Sequence, residues 1–264
     1  MQNIRLPAVA GMFYPAEPDV LAREVGALLT AAKPCEYRPK ALIVPHAGYV
    51  YSGPVAASGY AALKKVAAHV RRVVLLGPTH RVAVSGLALP GSDAFATPLG
   101  TIPVDQEAAQ SISHLPQVSV SPQAHALEHS LEVQLPFLQA VLSGFKLLPL
   151  AVGMTSPEAV AEVLELLWGG DETLIVISSD LSHYLPYEIA QRADAVTVQS
   201  ILGMESLIAH EQACGGTPIS GLLEAARHHH LTPHLLDSRN SGDTAGKRDS
   251  VVGYASFAFT GSHA

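Results

Sequence analysis

The sequence predicts an α/β fold, with a mainly parallel sheet and helices on both of its faces. Apolar runs at 41–46, 73–80 and 174–183 each end on a histidine, and such runs are typical of buried parallel strands. Amphipathic or alanine-rich segments separate them, so strands and helices alternate along the chain. With 264 residues, 48% hydrophobic and 15% charged, the chain can bury a large core. We therefore expect one domain over residues 1–264.

The first half of the chain begins with a predicted surface helix over 18–32, because its apolar residues recur at helical spacing behind Pro18. Glycine and proline in 48–54 predict a loop after the first strand. The alanine-rich segment 54–68 then leads to a second strand near 72–77, which completes a βαβ unit.

The middle of the chain is predicted to be rich in loops. An apolar run at 85–90 is followed by a stretch with glycine and proline up to residue 103, and a helix is expected to begin at Asp105. A further helix over 126–143 must kink or restart at Pro136. The remaining predicted strands are 145–152, 173–178 and 251–259, and the remaining predicted helices are 156–168, 186–202 and 218–230.

Composition and charge restrict the kinds of molecule that the protein is expected to bind. The net charge is −7 and the pI is near 6, without a basic stripe, which argues against nucleic acid and anionic membranes. No apolar run approaches the roughly 20 residues that span a bilayer. Two cysteines are too few for a disulfide framework, and the N-terminus lacks the apolar core of a signal peptide. We expect a cytoplasmic protein that binds small molecules or proteins.

Histidines follow the predicted strands at the positions where α/β sheets bind ligands. His46 and His80 end two runs, and Asp180 with His183 follows a third. The carboxyl ends of parallel strands share one edge of the sheet, so these side chains are expected to meet there. Imidazole suits zinc, copper, iron or nickel, so the pattern predicts a metal site with a spare acid or base.

The third metal ligand has two candidates. Asp180 offers a carboxylate just past a strand, although an aspartate there also caps turns. Cys214 precedes two glycines and a predicted helix N-terminus, a setting that lowers the pKa of a thiol. A small buried thiol is the alternative for Cys214.

A cluster of polar residues at 125–132 forms a further candidate. His125, Glu128, His129 and Glu132 would share one face of the predicted helix, because they lie at i, i+3, i+4 and i+7. This face could bind a metal, or supply a base and the residue that orients it. A solvated polar face is the alternative.

Six motifs resemble those of the Memo protein family, and they occur in order through nearly the whole chain. The motifs are GlyMetPheTyrPro at 11–15, ProHisAlaGlyTyr at 45–49, GlyProThrHis at 77–80, GluHisSerLeuGluValGlnLeuProPhe at 128–137, SerSerAspLeuSerHisTyr at 179–184 and CysGlyGlyThrPro at 214–218. The resemblance implies a fold like that of class III extradiol dioxygenases, which are non-haem iron(II) enzymes. It also implies a relation to bacterial and archaeal proteins that occur with a radical-SAM protein and an AMMECR-type protein.

The resemblance also implies roles for individual residues. His46 and His80 correspond to the metal-binding histidines of the dioxygenases, and His183 corresponds to their acid/base histidine. Cys214 falls where the dioxygenases have a metal-binding carboxylate, and a thiolate there favours copper or zinc more than a carboxylate does. Asp180 could supply the missing oxygen ligand.

We therefore expect a metal-dependent oxidoreductase, with Fe(II) as the first choice of metal and copper or zinc as alternatives. His46, His80 and Cys214 are the predicted ligands. The predicted catalytic residues are His183, Asp180 and His129, with His129 behind His183 in moving protons. The predicted substrate-binding residues are Tyr49, Tyr51 and Glu128.

Two other functions remain open from sequence. In the first, the fold has lost turnover and binds a peptide or small ligand in signalling, as the resemblance implies for some Memo-type proteins. In the second, the protein is a partner of a radical-SAM protein and of an AMMECR-type protein.

Overall fold

A computed structural model of the chain describes residues 3–261, in which strands and helices alternate as predicted. The strands are β1 Ile4–Arg5, β2 Ala41–Val44, β3 Arg72–Pro78, β4 Leu87–Leu89, β5 Ala94–Thr97, β6 Gly100–Pro103, β7 Val118–Val120, β8 Lys146–Val152, β9 Thr173–Ser178, β10 His183–Leu185, β11 Leu231–Asn240 and β12 Val251–Gly261. The helices are α1 Pro18–Ala31, α2 Tyr49–Ala61, α3 Gln106–Ile112, α4 Pro122–Ala126, α5 Leu135–Val141, α6 Pro157–Leu167, α7 Tyr187–Leu202 and α8 Gly216–His228, with short 3₁₀ turns at Ala62–Lys65, Glu132–Gln134 and Ser241–Asp243.

Four parallel strands form the centre of a nine-stranded sheet within residues 3–261. Their order is β2, β9, β3, β8, and each pairs with the next in parallel. Antiparallel strands flank this centre, because β12 pairs with β2 and β4 pairs with β8. Strands β10 and β11 pair with β12, and β7 pairs with β4. The predicted α/β class is confirmed, with the parallel pairing concentrated at the centre.

Helices cover both faces of the sheet, as predicted. Leu42 and Val44 of β2 pack in one apolar cluster with residues of α1, α2 and α5. Ala41 and Ile43, which alternate with them, pack in a second cluster with residues of α6, α7 and α8. Because successive side chains of a strand point to opposite faces, an almost wholly apolar strand fits a sheet that is buried on both sides.

The predicted loop over 48–54 is wrong, because α2 begins at Tyr49 and continues through Pro54. The two glycines let this helix pack closely against its neighbours, since a side chain at Gly53 or Gly59 would have to displace a neighbouring side chain. A Cβ at Gly53 would lie 2.9 Å from a Leu28 methyl group, and one at Gly59 would lie 2.6 Å from a Val44 methyl group. Tertiary packing here outweighs the local signals for a loop.

The predicted helix over 126–143 is wrong in its first part, whereas the predicted restart at Pro136 agrees with α5, which begins at Leu135. Helix α4 ends at Ala126, residues 127–131 form a loop, and a 3₁₀ turn leads into α5. The loop is fixed by its own polar groups: the Glu128 carboxylate accepts from Ser130 N at 3.0 Å, and Ser130 Oγ donates to Pro78 O at 2.8 Å. The four polar residues at 125–132 therefore do not share one helix face.

Short strands account for most of the elements that sequence reasoning misses. Strands β5 and β6 lie inside the stretch predicted as loop before Asp105, and they form a small sheet with β1. Strand β11 is ten residues long, but it carries Pro233 and ends in the polar residues 237–240, so its pattern resembles a loop. The helix start at Asp105 is confirmed, because its carboxylate caps α3 by accepting from Ala108 N at 3.2 Å.

The helices of the chain do not suit a membrane-spanning role. Within residues 3–261, each helix is too short or too polar to pass through a bilayer.

Candidate metal centre

The strand ends bring His46, His80 and Asp180 to one edge of the sheet. Strand β9 lies between β2 and β3, and the chain leaves all three strands at the same edge. His46 and His80 consequently lie with their ring centroids 5.2 Å apart, in an edge-to-face arrangement. The predicted meeting of these two histidines is confirmed.

A third histidine joins them from the loop at 127–131. One ring nitrogen each of His46, His80 and His129 lies within 4.8 Å of the others, which is the spacing of a possible metal site. His129 stacks on His80 with centroids 4.6 Å apart and lies 5.5 Å from His46. The sequence predicts His129 as a proton carrier behind His183, whereas the structure groups it with the two predicted ligands.

Buried hydrogen bonds fix the protonation state of His46. Ser178 Oγ donates to Ser130 O at 2.6 Å and accepts from Gln134 Nε2 at 2.7 Å. Its remaining contact is to His46 Nδ1 at 2.9 Å, so that nitrogen must carry the hydrogen. Burial lowers the pKa of His46 well below its ordinary value. The ring is therefore neutral, and the lone pair lies on Nε2, where a metal could bind.

Glu128 has the same orienting function for His80. Its carboxylate contacts His80 Nδ1 at 2.8 Å and accepts from His80 N at 2.6 Å. Burial alone would raise the pKa of Glu128, but these hydrogen bonds and that from Ser130 N lower it to about 2. These contacts occupy the carboxylate, which holds His80 with Nε2 free, and the predicted substrate-binding role of Glu128 stays a prediction.

Glu128→Gln is therefore expected to weaken metal binding while the ligand histidines remain. Loss of an orienting carboxylate behind a metal-binding histidine costs about 10- to 100-fold in affinity. Competition with a chromophoric chelator measures the change. Glu24→Gln, at a half-buried position of α1, is the matched control and should bind as the wild type does. Equal affinity of Glu128→Gln and wild type would contradict the role assigned to Glu128.

Cys214 lies directly beside His46. Its sulfur is 3.3 Å from His46 Nε2, and its backbone N–H donates to Asp180 O at 3.2 Å. Burial raises the pKa of the thiol to about 12, with a further contribution from the Asp180 charge. This corrects the expectation that the start of α8 lowers that pKa, since burial outweighs the helix terminus. Without a metal, the thiol of Cys214 is protonated.

Asp180 supports the backbone of the site. Its carboxylate accepts from His46 N at 2.7 Å, which fixes the turn after β2. Burial raises the pKa of Asp180 to about 7, against the lowering effect of the hydrogen bond from His46 N. From sequence, Asp180 is either a metal ligand or a cap of the turn that follows it. In the structure, its carboxylate instead caps the turn after β2, through the hydrogen bond from His46 N.

His183 begins β10, at the exposed rim of this edge of the sheet. Partial burial of its imidazole lowers the pKa of His183. The next residue, Tyr184, has φ of 59°, a left-handed conformation that is uncommon for residues other than glycine. The predicted acid/base role of His183 stays a prediction. The residue lies near the histidine group and is accessible to solvent.

The two predicted pocket tyrosines lie in different surroundings. Tyr49 is 2% exposed, its hydroxyl donates to Val133 O at 2.8 Å, and its ring packs on Phe137. This corrects the expectation that Tyr49 lines the crevice, because apolar packing at the start of α2 draws it into the core. Tyr51 is 40% exposed on the same turn, where a ligand could reach it.

Sequence reasoning misses the buried residues that orient the site. Gln134 and Ser178 are fully buried, and Tyr60 OH donates to Gln134 Oε1 at 2.8 Å. In the sequence, such orienting residues could be found as polar positions inside otherwise apolar segments. Phe13 of the GlyMetPheTyrPro motif is also missed, and its ring packs 4.8 Å from that of His129.

A cavity of about 360 Å³ adjoins Cys214 and opens along the ends of β3 and β8. Thr79, Met154, His210 and Thr217 are among the residues that line it. A larger cavity of about 530 Å³ includes Lys40 and Trp168, at the opposite edge of the sheet. The smaller cavity lies at the carboxyl ends of the strands, where open α/β sheets bind ligands, and its lining includes Cys214 but none of the three grouped histidines.

Fold and site together define an α/β protein with a candidate metal centre of three histidines at the carboxyl edge of its sheet. The model of the Memo-like protein family matches residues 5–258. The chain therefore belongs to the Memo family.

Similar proteins support this assignment over nearly the full length of the chain. A MEMO1 family protein of Methanosarcina barkeri is 38% identical, with 96% of this chain and 98% of the relative covered. One of Aquifex aeolicus is 36% identical, with 97% and 99% covered. The crystal structure of an uncharacterized protein from Escherichia coli K12 has a TM-score of 0.52 at 14% identity and covers 85% of this chain and 100% of that one, so it shows likeness of fold alone.

Proposed function

We propose that this protein is a metal-dependent oxidoreductase that binds Fe(II) between His46, His80 and His129, with Cys214 as a further ligand. The observation that carries the proposal is the grouping of three imidazole nitrogens within 4.8 Å of one another. Two of these rings, His46 and His80, have Nδ1 engaged by Ser178 and Glu128, and metal-binding histidines are commonly oriented by such a hydrogen bond.

The donor set fits a transition metal better than calcium or magnesium, which prefer oxygen ligands. Neutral imidazole suits iron, copper and zinc, and the Cys214 sulfur favours copper or zinc further. Fe(II) is the first choice because the family resemblance implies a fold like that of non-haem iron dioxygenases. A bound Fe(II) ion would supply electron transfer to dioxygen and a Lewis-acidic position for substrate.

The protein's own groups would position the substrate and move protons. The cavity beside Cys214 has room for a small molecule, and the Cys214 sulfur lies 3.3 Å from His46 Nε2. His183, at the solvent-facing rim, would exchange a proton between substrate and water. Asp180 would hold the turn that carries His46. Tyr51 would contact the bound substrate at the edge of the site.

Elemental mass spectrometry of the protein tests this proposal directly. The protein is purified anaerobically without a histidine tag, and bound iron, copper and zinc are measured. We expect about one iron per chain. The iron-loaded protein should also consume oxygen faster than free Fe(II) at the same concentration does. If no metal binds even after reconstitution, the proposal is overturned, and a binding function becomes the better explanation of the cavity.

Replacement of Cys214 by alanine tests the sulfur ligand separately. Cobalt(II) bound to a thiolate shows near-ultraviolet charge-transfer absorption that cobalt bound to histidine alone does not. We expect this band in the cobalt-loaded wild type and its loss in Cys214→Ala. Cys35→Ala is the matched control, since Cys35 is the second free cysteine of the chain. A wild type without the band would leave Cys214 outside the ligand set.

The proposed partners are a small-molecule or peptide ligand, and a radical-SAM protein with an AMMECR-type protein. Only the first has support from geometry, in the cavity beside Cys214. The radical-SAM partner and the cytoplasmic location follow from the family resemblance and the composition. Co-purification with a radical-SAM protein from the native host, under anaerobic conditions, tests that partner.

A further inference from the structure

The strand that carries His183, the proposed proton carrier, is poorly held by the sheet itself. Strand β10 spans only three residues at the edge of the nine-stranded sheet, where it pairs with β12. The pairing is irregular between His183 and Leu185, and Tyr184 between them adopts φ of 59°. A short, irregular edge strand makes few inter-strand hydrogen bonds, so the position of His183 must depend on contacts outside the strand.

Behind this strand, in the middle of α7, lies a carboxylate whose burial is unusual. Asp194 is 5% exposed, and within residues 3–261 it forms no salt bridge. Burial raises the pKa of Asp194, and hydrogen bonding from Ser182 opposes that effect. An aspartate buried without a counter-charge costs folding free energy, so its presence indicates a specific role.

The carboxylate of Asp194 holds the two residues that precede His183. Its Oδ1 accepts from Ser182 N at 3.0 Å. Gly253 of β12 holds the same two residues from the other side, because it accepts from Leu181 N and donates to Ser182 O, both at 2.8 Å. A Cβ at position 253 would overlap Asp194 Oδ2, so the glycine lets the carboxylate and β12 meet at this segment.

One peptide unit links Asp194 to the imidazole of His183. The C=O of Leu181 and the N–H of Ser182 belong to the same planar unit and point in opposite directions. The N–H donates to Asp194. Burial of the imidazole lowers the pKa of His183, and its contact with the Leu181 carbonyl opposes that effect. Rotation of the unit would move both groups together, so the carboxylate that fixes the N–H also fixes the carbonyl beside the ring.

We propose that Asp194 is a positioning residue, which sets the orientation of the His183 imidazole through the Leu181–Ser182 peptide. Asp194 acts from behind the strand and does not bind metal. A neutral acceptor oxygen is sufficient for this role, because the Ser182 N–H needs an acceptor and burial disfavours the charge. The inference rests on the proposed function only in its use of His183 as an acid or base.

The ¹⁵N resonances of the His183 imidazole measure this placement in the full-length protein, with zinc added as a diamagnetic ion. In Asp194→Ala, we expect the pKa of His183 to rise toward the ordinary value of a histidine, since the released ring gains contact with water. Loss of the negative charge alone would move this pKa downward, so the direction distinguishes release of the ring from an electrostatic effect. Asp194→Asn keeps an acceptor oxygen and should keep the wild-type pKa.

Oxygen uptake by the iron-loaded protein measures the consequence for catalysis. We expect it to fall at least about tenfold in Asp194→Ala with bound iron unchanged, because a displaced acid or base loses its contribution to rate. Glu188→Ala is the matched control, since Glu188 is an exposed carboxylate in the first turn of the same helix. This control should leave both the pKa of His183 and oxygen uptake unchanged.

The proposal is overturned if folded Asp194→Ala keeps the wild-type pKa of His183, or if Asp194→Asn shifts that pKa as far as Asp194→Ala does. If Asp194→Ala does not fold, Asp194→Ser takes its place with the same expectation, because its shorter side chain does not reach Ser182 N. An iron-loaded wild type that consumes no oxygen would contradict the proposed function alone. The pKa of His183 would then still decide the role of Asp194.

Discussion

Replacement of His46 and His80 together by alanine is expected to reduce bound metal from about one equivalent to background. Structural zinc sites with about four ligands bind with about 10–16 kcal/mol, which is roughly 3 kcal/mol per ligand. Loss of two ligands therefore costs about 6 kcal/mol, or at least about 10⁴-fold in affinity. Elemental mass spectrometry after dialysis measures the effect.

The control for this experiment is a second pair of histidines. His228 and His229 both bond to Glu165 at the surface, at 3.1 and 2.8 Å, far along α8 from the strand ends. Their double replacement by alanine should leave the metal content unchanged. Circular dichroism establishes that both double variants are folded. Full occupancy in a folded His46→Ala, His80→Ala protein would mean that the metal binds elsewhere.

The strand-end histidines are predictable because their placement needs only strand order along the chain and the common edge of parallel strands. His46 and His80 follow buried apolar runs, which are among the strongest signals in the sequence. Neither prediction requires knowledge of a loop conformation. The central strands and most helices are predictable for the same reason, since each has a strong hydrophobic pattern of its own.

The segment 125–132 shows where sequence reasoning fails. Helical spacing would place four polar side chains together, but the chain leaves the helix after Ala126 and gives each a separate environment. Glu128 bonds to His80, His129 joins the metal group, His125 Nε2 bonds to Ala88 O, and Glu132 binds the N-terminal segment, residues 8–14. These contacts reach residues distant along the chain, so no local pattern encodes them. Such long-range polar partners override helical periodicity.

Ser178 and Gln134 illustrate a related limit. A serine at the end of an apolar strand is ordinary, and only its three-dimensional contacts reveal that it sets the tautomer of His46. The same holds for Cys214, where a helix terminus in the sequence suggests a low pKa and burial produces a high one. Desolvation depends on everything packed around a group, which adjacent residues do not report.

Glu132→Ala is expected to destabilise the fold more than any substitution at the metal centre. The Glu132 carboxylate is fully buried and accepts from Ala8 N at 2.8 Å, Val9 N at 3.0 Å and Tyr14 OH at 2.6 Å, besides its salt bridge with Arg5. Its removal leaves the buried Arg5 guanidinium without a counter-charge, which costs about 3–5 kcal/mol. Urea unfolding of metal-free protein measures the loss.

Two comparisons distinguish this charge effect from a general loss of packing. Glu132→Gln keeps an acceptor oxygen but no charge, so its free energy of unfolding should fall between those of Glu132→Ala and wild type. Glu165→Ala removes a half-exposed carboxylate that pairs with histidines, and should change stability by less than about 1 kcal/mol. The N-terminal segment carries Phe13 against His129, so Glu132→Ala should also weaken metal binding. Wild-type stability in Glu132→Ala would show that the N-terminal segment is held by apolar contacts alone.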